Sequence, residues 1–205
     1  LWGRLRYRLY RHPLIMFGIG PAYLFILQFR LPVGMMRGGW KPWASTMATN
    51  LVISLIVGVL IWLIGIKAFL LIHLPIMLLA SSAGVWLFYV QHQFEDTYWH
   101  RTESWNYFDA ALGGSSYLAL PKPLEWLTAS IGIHHVHHLS VRIPNYRLRE
   151  AMEAVPELQN PTRVTMLDSV RLMGLALWDE VEERLVSFQR SQAVGGYAGC
   201  LLGAA

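Results

Sequence analysis

Two adjacent stretches of this chain carry no charge, and together they exclude an ordinary soluble fold. Residues 46–66, "TMATNLVISLIVGVLIWLIGI", are uncharged over 21 positions, and residues 68–90, "AFLLIHLPIMLLASSAGVWLFYV", over 23 apart from His73. At about 1.5 Å per residue, either helix would cross a hydrocarbon core of roughly 30 Å. Only Lys67 separates them, so the sequence predicts a tight helical hairpin of two transmembrane helices over 46–91. Composition agrees, because 54% of the 205 residues are hydrophobic and only 15% are charged.

A third apolar stretch, residues 14–29 ("LIMFGIGPAYLFILQF"), is shorter and broken by Gly18, Gly20 and Pro21. Its basic lead, "RLRYRLYRH", imitates a signal peptide, but no small-x-small cleavage site follows. Arg4, Arg6, Arg8 and Arg11 precede the stretch, and Arg30, Arg37 and Lys41 follow it. The positive-inside rule keeps both flanks cytoplasmic, so residues 1–45 are expected to form a basic, re-entrant or interfacial segment. The part of the chain after the second span then lies on the cytoplasmic side too. The basic excess reads as attraction to a membrane surface; no nucleic-acid-binding motif accompanies it. Cys200 is the only cysteine, which excludes an internal disulfide or a thiolate-based metal site.

From residue 91 the composition becomes polar and aromatic. Short helices are expected around 103–111 and 123–138, with a loop at Gly113-Gly114 and Pro121. Thr165 is a candidate cap for a final amphipathic helix over 166–190. Leu167, Val170, Met173, Leu177, Val181 and Leu185 would share one face of it at helical spacing. A glycine- and alanine-rich tail fills 191–205. The expected fold class is all-α: a membrane hairpin, an interfacial helix and a helical cap over 92–165, in one domain.

That cap holds six of the eight histidines: His92, His100, His134, His135, His137 and His138. On a helix, His134 and His138 stand one turn apart and His137 lies three residues from His134, so "HHVHH" turns three imidazoles to one face. His135 points about 100° away. Imidazoles without thiolate suit Fe, Zn, Cu or Ni. Because neighbouring histidines diverge, His137 and His138 could each serve a different ion of a two-metal centre. His92 ends the second span and would anchor a ligand at a rigid point. Glu95 and Asp96, three and four residues on, are candidates to accept a hydrogen bond from a ligand imidazole, and His135 is a further neighbour of this kind. His100 is undecided between ligand and interfacial aromatic belt. His12 reads as a surface residue and His73 as an interhelical hydrogen-bonding group. A histidine cluster that binds nothing remains the bland alternative.

"VQHQFEDTYWHR" at the exit of a span, then "SWNYFDAALGGSSY", then "HHVHHLSVRIPNY" resembles the membrane-bound fatty acid desaturase family, in its bacterial acyl-lipid, Delta-12-like branch. The resemblance covers the chain to about residue 190. It implies a di-iron centre of two Fe ions, with O2 as co-substrate, that removes two hydrogens from a fatty acyl chain. It also implies a fatty acyl lipid or acyl carrier as substrate, an electron donor such as ferredoxin or a cytochrome, and a place in a bacterial inner membrane. By position, His134, His137 and His138 match the family's third histidine box and His92 the additional histidine before it. Trp86, Tyr89 and Trp126 are candidates to line an acyl tunnel. The family's first two boxes are not present, so the resemblance implies a C-terminal portion that should not assemble a competent di-iron site alone. Related hydroxylases and carotenoid ketolases, or a non-catalytic metal-binding membrane module, are the alternatives.

Overall fold

In the computed structural model, which describes residues 2–31, 39–193 and 200–202, the chain divides into two compact units, Leu1–Trp86 and Leu87–Ala205. Among its described residues, the first holds helices and no strands. Helix α1 (Trp2–Tyr10) is followed by a π-helical turn (Ile15–Ile19), α2 (Gly20–Ile26) and a 3-10 turn (Gln28–Arg30). Pro21 has no N–H to offer the carbonyl four residues back, and the wider π turn immediately before it absorbs that loss. Residues 3–10 and 15–30 meet at 59°, as in a broken span or a re-entrant loop. Asn50 donates to the Arg30 carbonyl at 2.6 Å, which ties the end of this segment to the next helix.

Two long helices follow, α3 (Trp40–Ile64) and α4 (Ile66–His92), both long and apolar enough to cross a membrane. The break falls at Gly65, not at Lys67. Gly65 has a φ of 80°, a conformation open to glycine and costly for other residues, whereas Lys67 is an ordinary first-turn residue of α4. No residue of α3 is buried, so the side-by-side packing expected of a tight hairpin is not what covers it; its surface is of the kind that lipid solvates. Arg37 lies outside the described residues.

The second unit corrects the all-α expectation. After α4 come α5 (Tyr107–Gly113), β1 (Tyr117–Ala119), α6 (Lys122–Leu127), α7 (His134–Leu139), α8 (Leu148–Ala154), β2 (Arg163–Thr165) and α9 (Met166–Leu172). Then β3 (Leu175–Asp179), β4 (Arg184–Ser187), α10 (Phe188–Ala193) and β5 (Cys200–Leu202) complete it. β1 and β2 pair in parallel, Leu118 opposite Val164. The helix expected over 123–138 is two helices, parted by a turn in which Ala129 and Ser130 take positive φ.

The predicted amphipathic helix over 166–190 is likewise replaced. Only its first two turns form, as α9, with Thr165 and Asp168 in a reciprocal capping box. Beyond Gly174 the chain makes an antiparallel hairpin, β3 with β4, and β5 joins the other edge of β3. Asp179 turns the hairpin by accepting from the N–H groups of Val181 (2.9 Å) and Glu182 (3.2 Å). Leu175, Ala176, Leu177 and Trp178 are all buried, a run that a helix with one apolar face would not bury. Of the tail, residues 200–202 form β5, and 194–199 and 203–205 lie outside the described residues.

The hairpin packs on the end of α4. The Tyr89 hydroxyl donates to the Leu175 carbonyl, Leu185 N–H donates to the Glu95 carbonyl at 2.8 Å, and Arg184 pairs with the Glu95 carboxylate at 2.6 Å. A second core gathers Ile133, Val136, Leu148 and Leu158 beneath α7. Each such side chain contributes about 1.5–3 kcal/mol by leaving water. Arg149 of α8 grips Glu125 of α6 at 2.5 and 2.6 Å, closing the same group of helices.

Candidate metal centre

Helix α7 is only six residues long, and its position depends on neighbours more than on its own hydrogen bonds. Val136 and His135 face the core; the His135 Nε2 lies 3.0 Å from the Leu158 carbonyl and donates to it. The Tyr107 hydroxyl sits 2.9 and 3.0 Å from the carbonyls of His138 and Leu139, two acceptors that the helix end leaves without an internal donor. With one face bound to the core and the C-terminus held by Tyr107, the opposite face presents His134 and His138.

His92 completes the cluster from the last turn of α4. Its Nε2 is 2.9 Å from that of His138 and 3.2 Å from that of His134, and the latter two are 3.0 Å apart. Two nitrogens bound to one metal at about 2.0–2.2 Å lie roughly 2.8–3.6 Å apart at octahedral or tetrahedral angles. The triangle therefore has the edge lengths of one face of a coordination polyhedron. The His92 Nδ1 is 2.7 Å from the Phe88 carbonyl, so Nδ1 carries the proton and neutral Nε2 presents a lone pair. A carbonyl behind the ring is the usual device that fixes a metal-binding tautomer.

Electrostatics keep the rings neutral. Burial first, and then the neighbouring imidazoles of His92, His138 and His137, push His134 down to about 3. His138 is lowered by burial and then by His92 and His137. A neutral imidazole with a free lone pair is the form that binds metal, so these nitrogens are available to one at neutral pH.

The other residues singled out by sequence fall as follows. His137 stacks beside His134 with ring centres 5.5 Å apart and lies outside the triangle. Glu95 is committed to Arg184, and Asp96 is exposed beside it. His135 is buried behind the cluster, with its bond going to Leu158. His100 is exposed and packs edge-on against Tyr98, at 4.6 Å. His12 accepts from the Leu14 N–H at 3.3 Å, and His73 stacks on Phe69 within α4. Tyr89 is buried with its hydroxyl bound, Trp126 is exposed, and Trp86 is half-buried. Sequence reasoning missed Tyr107 and Gln91. Gln91 is 1% exposed, and an uncharged amide buried at the end of an otherwise apolar helix was the available signal.

A sequence model of the fatty acid desaturase family matches residues 1–169. The chain belongs to the fatty acid desaturase family. It is 45% identical over 186 residues to a fatty acid desaturase of Bacillus subtilis (strain 168), covering 91% of this chain and 52% of the relative. It thus spans about half the length of that relative. A chloroplastic omega-6 fatty acid desaturase of Glycine max is 41% identical over 56 residues, which is 27% of this chain and 13% of that one. The sn-1 oleoyl-lipid 12-desaturase of Anabaena variabilis is 35% identical over 68 residues, 33% of this chain and 19% of that one. No solved structure matches the chain.

Proposed function

We propose that this chain supplies part of the di-iron centre of a membrane desaturase that introduces a double bond into a fatty acyl chain. The observation that carries the reading is the triangle of Nε2 atoms at 2.9–3.2 Å contributed by His92, His134 and His138. Imidazole nitrogens at that spacing fit iron. His137, beside the triangle, is placed to serve a second ion. A di-iron centre needs more ligands than these four histidines, and the rest would come from other parts of the protein.

Bound iron would supply the O2 chemistry of the reaction, in which two acyl hydrogens, two electrons from a donor and two protons from solvent reduce O2 to two waters. What this chain's residues do is narrower. His92, held by the Phe88 carbonyl, and His134, held by the core, offer lone pairs without first shedding protons. Tyr107 and Leu158 keep α7 from rotating those lone pairs away. The matched relatives, fatty acid and oleoyl-lipid desaturases, support a fatty acyl lipid as substrate; the reaction also takes electrons from a donor, and a small redox protein such as ferredoxin or a cytochrome would serve. Basic residues on both sides of the bent segment support a cytoplasmic placement of the histidines.

The reading is tested by grafting this chain into the Bacillus subtilis desaturase in place of the residues it matches, in a host without its own enzyme. New double bonds in the membrane lipids, absent when the graft carries His134→Ala, are expected. A hydroxylated or keto product without a double bond would replace desaturase by hydroxylase or ketolase. One tightly held zinc and no iron would favour a non-catalytic metal-binding module.

A further inference from the structure

The end of α4 is joined to the three residues that lead into α7 by hydrogen bonds that start at Gln91 and its surroundings. The Gln91 side chain donates to the Ile131 carbonyl at 3.1 Å, three residues before His134. The Gln91 backbone carbonyl accepts from Ser116 N–H at 2.9 Å. Two residues on from Ser116, Leu118 N–H donates to the Gly132 carbonyl at 2.9 Å. A side chain at Gly132 would collide with the Leu118 carbonyl, so the two strands of chain approach closely only because that position is glycine. His92 thus stands one residue from a closed ring of bonds that ends just before His134.

A buried primary amide is costly unless it is bonded, and an apolar residue would pack at the end of α4 without that cost. We propose that Gln91 is a positioning residue for the histidine triangle: its amide sets the reach of His92 to His134 and His138, and so how tightly the three nitrogens hold a metal ion. The inference rests on the metal-binding reading above. Ligand distances in a metal site are held to within about 0.2 Å, so a bond one residue from a ligand acts on the quantity that matters. Gln91 touches no ligand ring in this role; it works through the backbone on either side.

The test is a Co2+ titration of the full chain in detergent, followed by visible absorption, with thermal unfolding of the metal-free protein alongside. Gln91→Met keeps the length of the side chain and removes the donor. It is expected to weaken Co2+ binding by about 10- to 100-fold, as removal of a ligand's supporting bond typically does, and to change the shape of the Co2+ spectrum. Ser115→Ala removes an equally buried bond, from Ser115 to the Ala111 carbonyl at 2.5 Å, that does not join α4 to residues 131–133. It is expected to lower the unfolding temperature and leave Co2+ affinity and spectrum as they are. If Gln91→Met binds Co2+ like the parent while His134→Ala binds none, the positioning role is overturned and the metal site stands. A parent chain that binds no Co2+ overturns the claim that the triangle holds a metal ion by itself, and the positioning role with it. Should Gln91→Met not fold, Gln91→Asn keeps the amide one methylene short, and unchanged affinity there overturns the proposal equally.

Discussion

His134 is buried, and three other imidazoles crowd it, so its proton equilibrium works against acid. Its folded value of about 3 lies below the ordinary 6.5, so the unfolded chain binds the proton more readily. The stability it contributes is present above about 6.5 and is lost as pH falls toward about 3. Metal-free protein unfolded by denaturant in detergent is expected to weaken steadily through that window. His134→Gln should flatten the pH dependence, and an unchanged slope would refute this account. His135 and His134 are adjacent yet separable. His135→Ala leaves the buried Leu158 carbonyl without its donor and is expected to cost about 1–3 kcal/mol of stability, with Co2+ binding retained. His134→Ala is expected to abolish that binding. The pairing of His134 with His138 was legible from one turn of helical spacing, and the turn of His135 away from the cluster from the same geometry. The position of His137 was not, because spacing assigns it to a face of α7 and only the approach of His92 decides where on that face the ligand atoms converge.

At the scale of elements, absence of charge was a sufficient signal for α3 and α4, since length and hydropathy alone decide what can cross a bilayer. The β3–β4 hairpin was hidden because Leu177, Val181 and Leu185 recur every four residues, which satisfies a helix as well as two strands and a four-residue turn. The signals against a helix were Gly174, the unbroken apolar run Leu175–Trp178 and the turn-forming Asp179. Two substitutions separate the alternatives. Val181 is 85% exposed at the hairpin turn and Leu177 is fully buried. Val181→Ser is expected to change stability by less than about 0.5 kcal/mol. Leu177→Ala is expected to cost about 2–5 kcal/mol. A helix over 166–190 would bury both and make the two costs similar. Capping belongs to this scale as well. Asp168 is held below its ordinary value by hydrogen bonds from Thr165, so its contribution is present above 3.8 and disappears as pH falls further. Asp168→Asn should remove that acid-dependent part, measured as the change in unfolding between pH values on either side of 3.8.

For the whole molecule, the deciding question is how many times the chain crosses the bilayer. Among the described residues two helices are long and apolar enough, and the bent pair before them would make a third crossing if it spans. With two crossings, the arginines of α1 and the histidine-bearing unit share one side; with three, they are on opposite sides. Charge argues for two, because arginines flank the bent segment at both ends and each is costly to carry across a membrane. The break in the segment argues the same way, since residues 11–14 part α1 from residues 15–30 at 59° and leave neither piece long enough to span alone. The check uses Cys200→Ser as background, with single cysteines introduced by Arg6→Cys, Ile66→Cys and Glu103→Cys, all at exposed positions. In oriented membrane vesicles, an impermeant maleimide is expected to label positions 6 and 103 from the same face and position 66 from the other. Labelling of 6 and 103 from opposite faces would make the bent pair a third span. It would also put the α1 arginines across the membrane from His92, His134 and His138, and the charge argument for a cytoplasmic metal centre would fail with it.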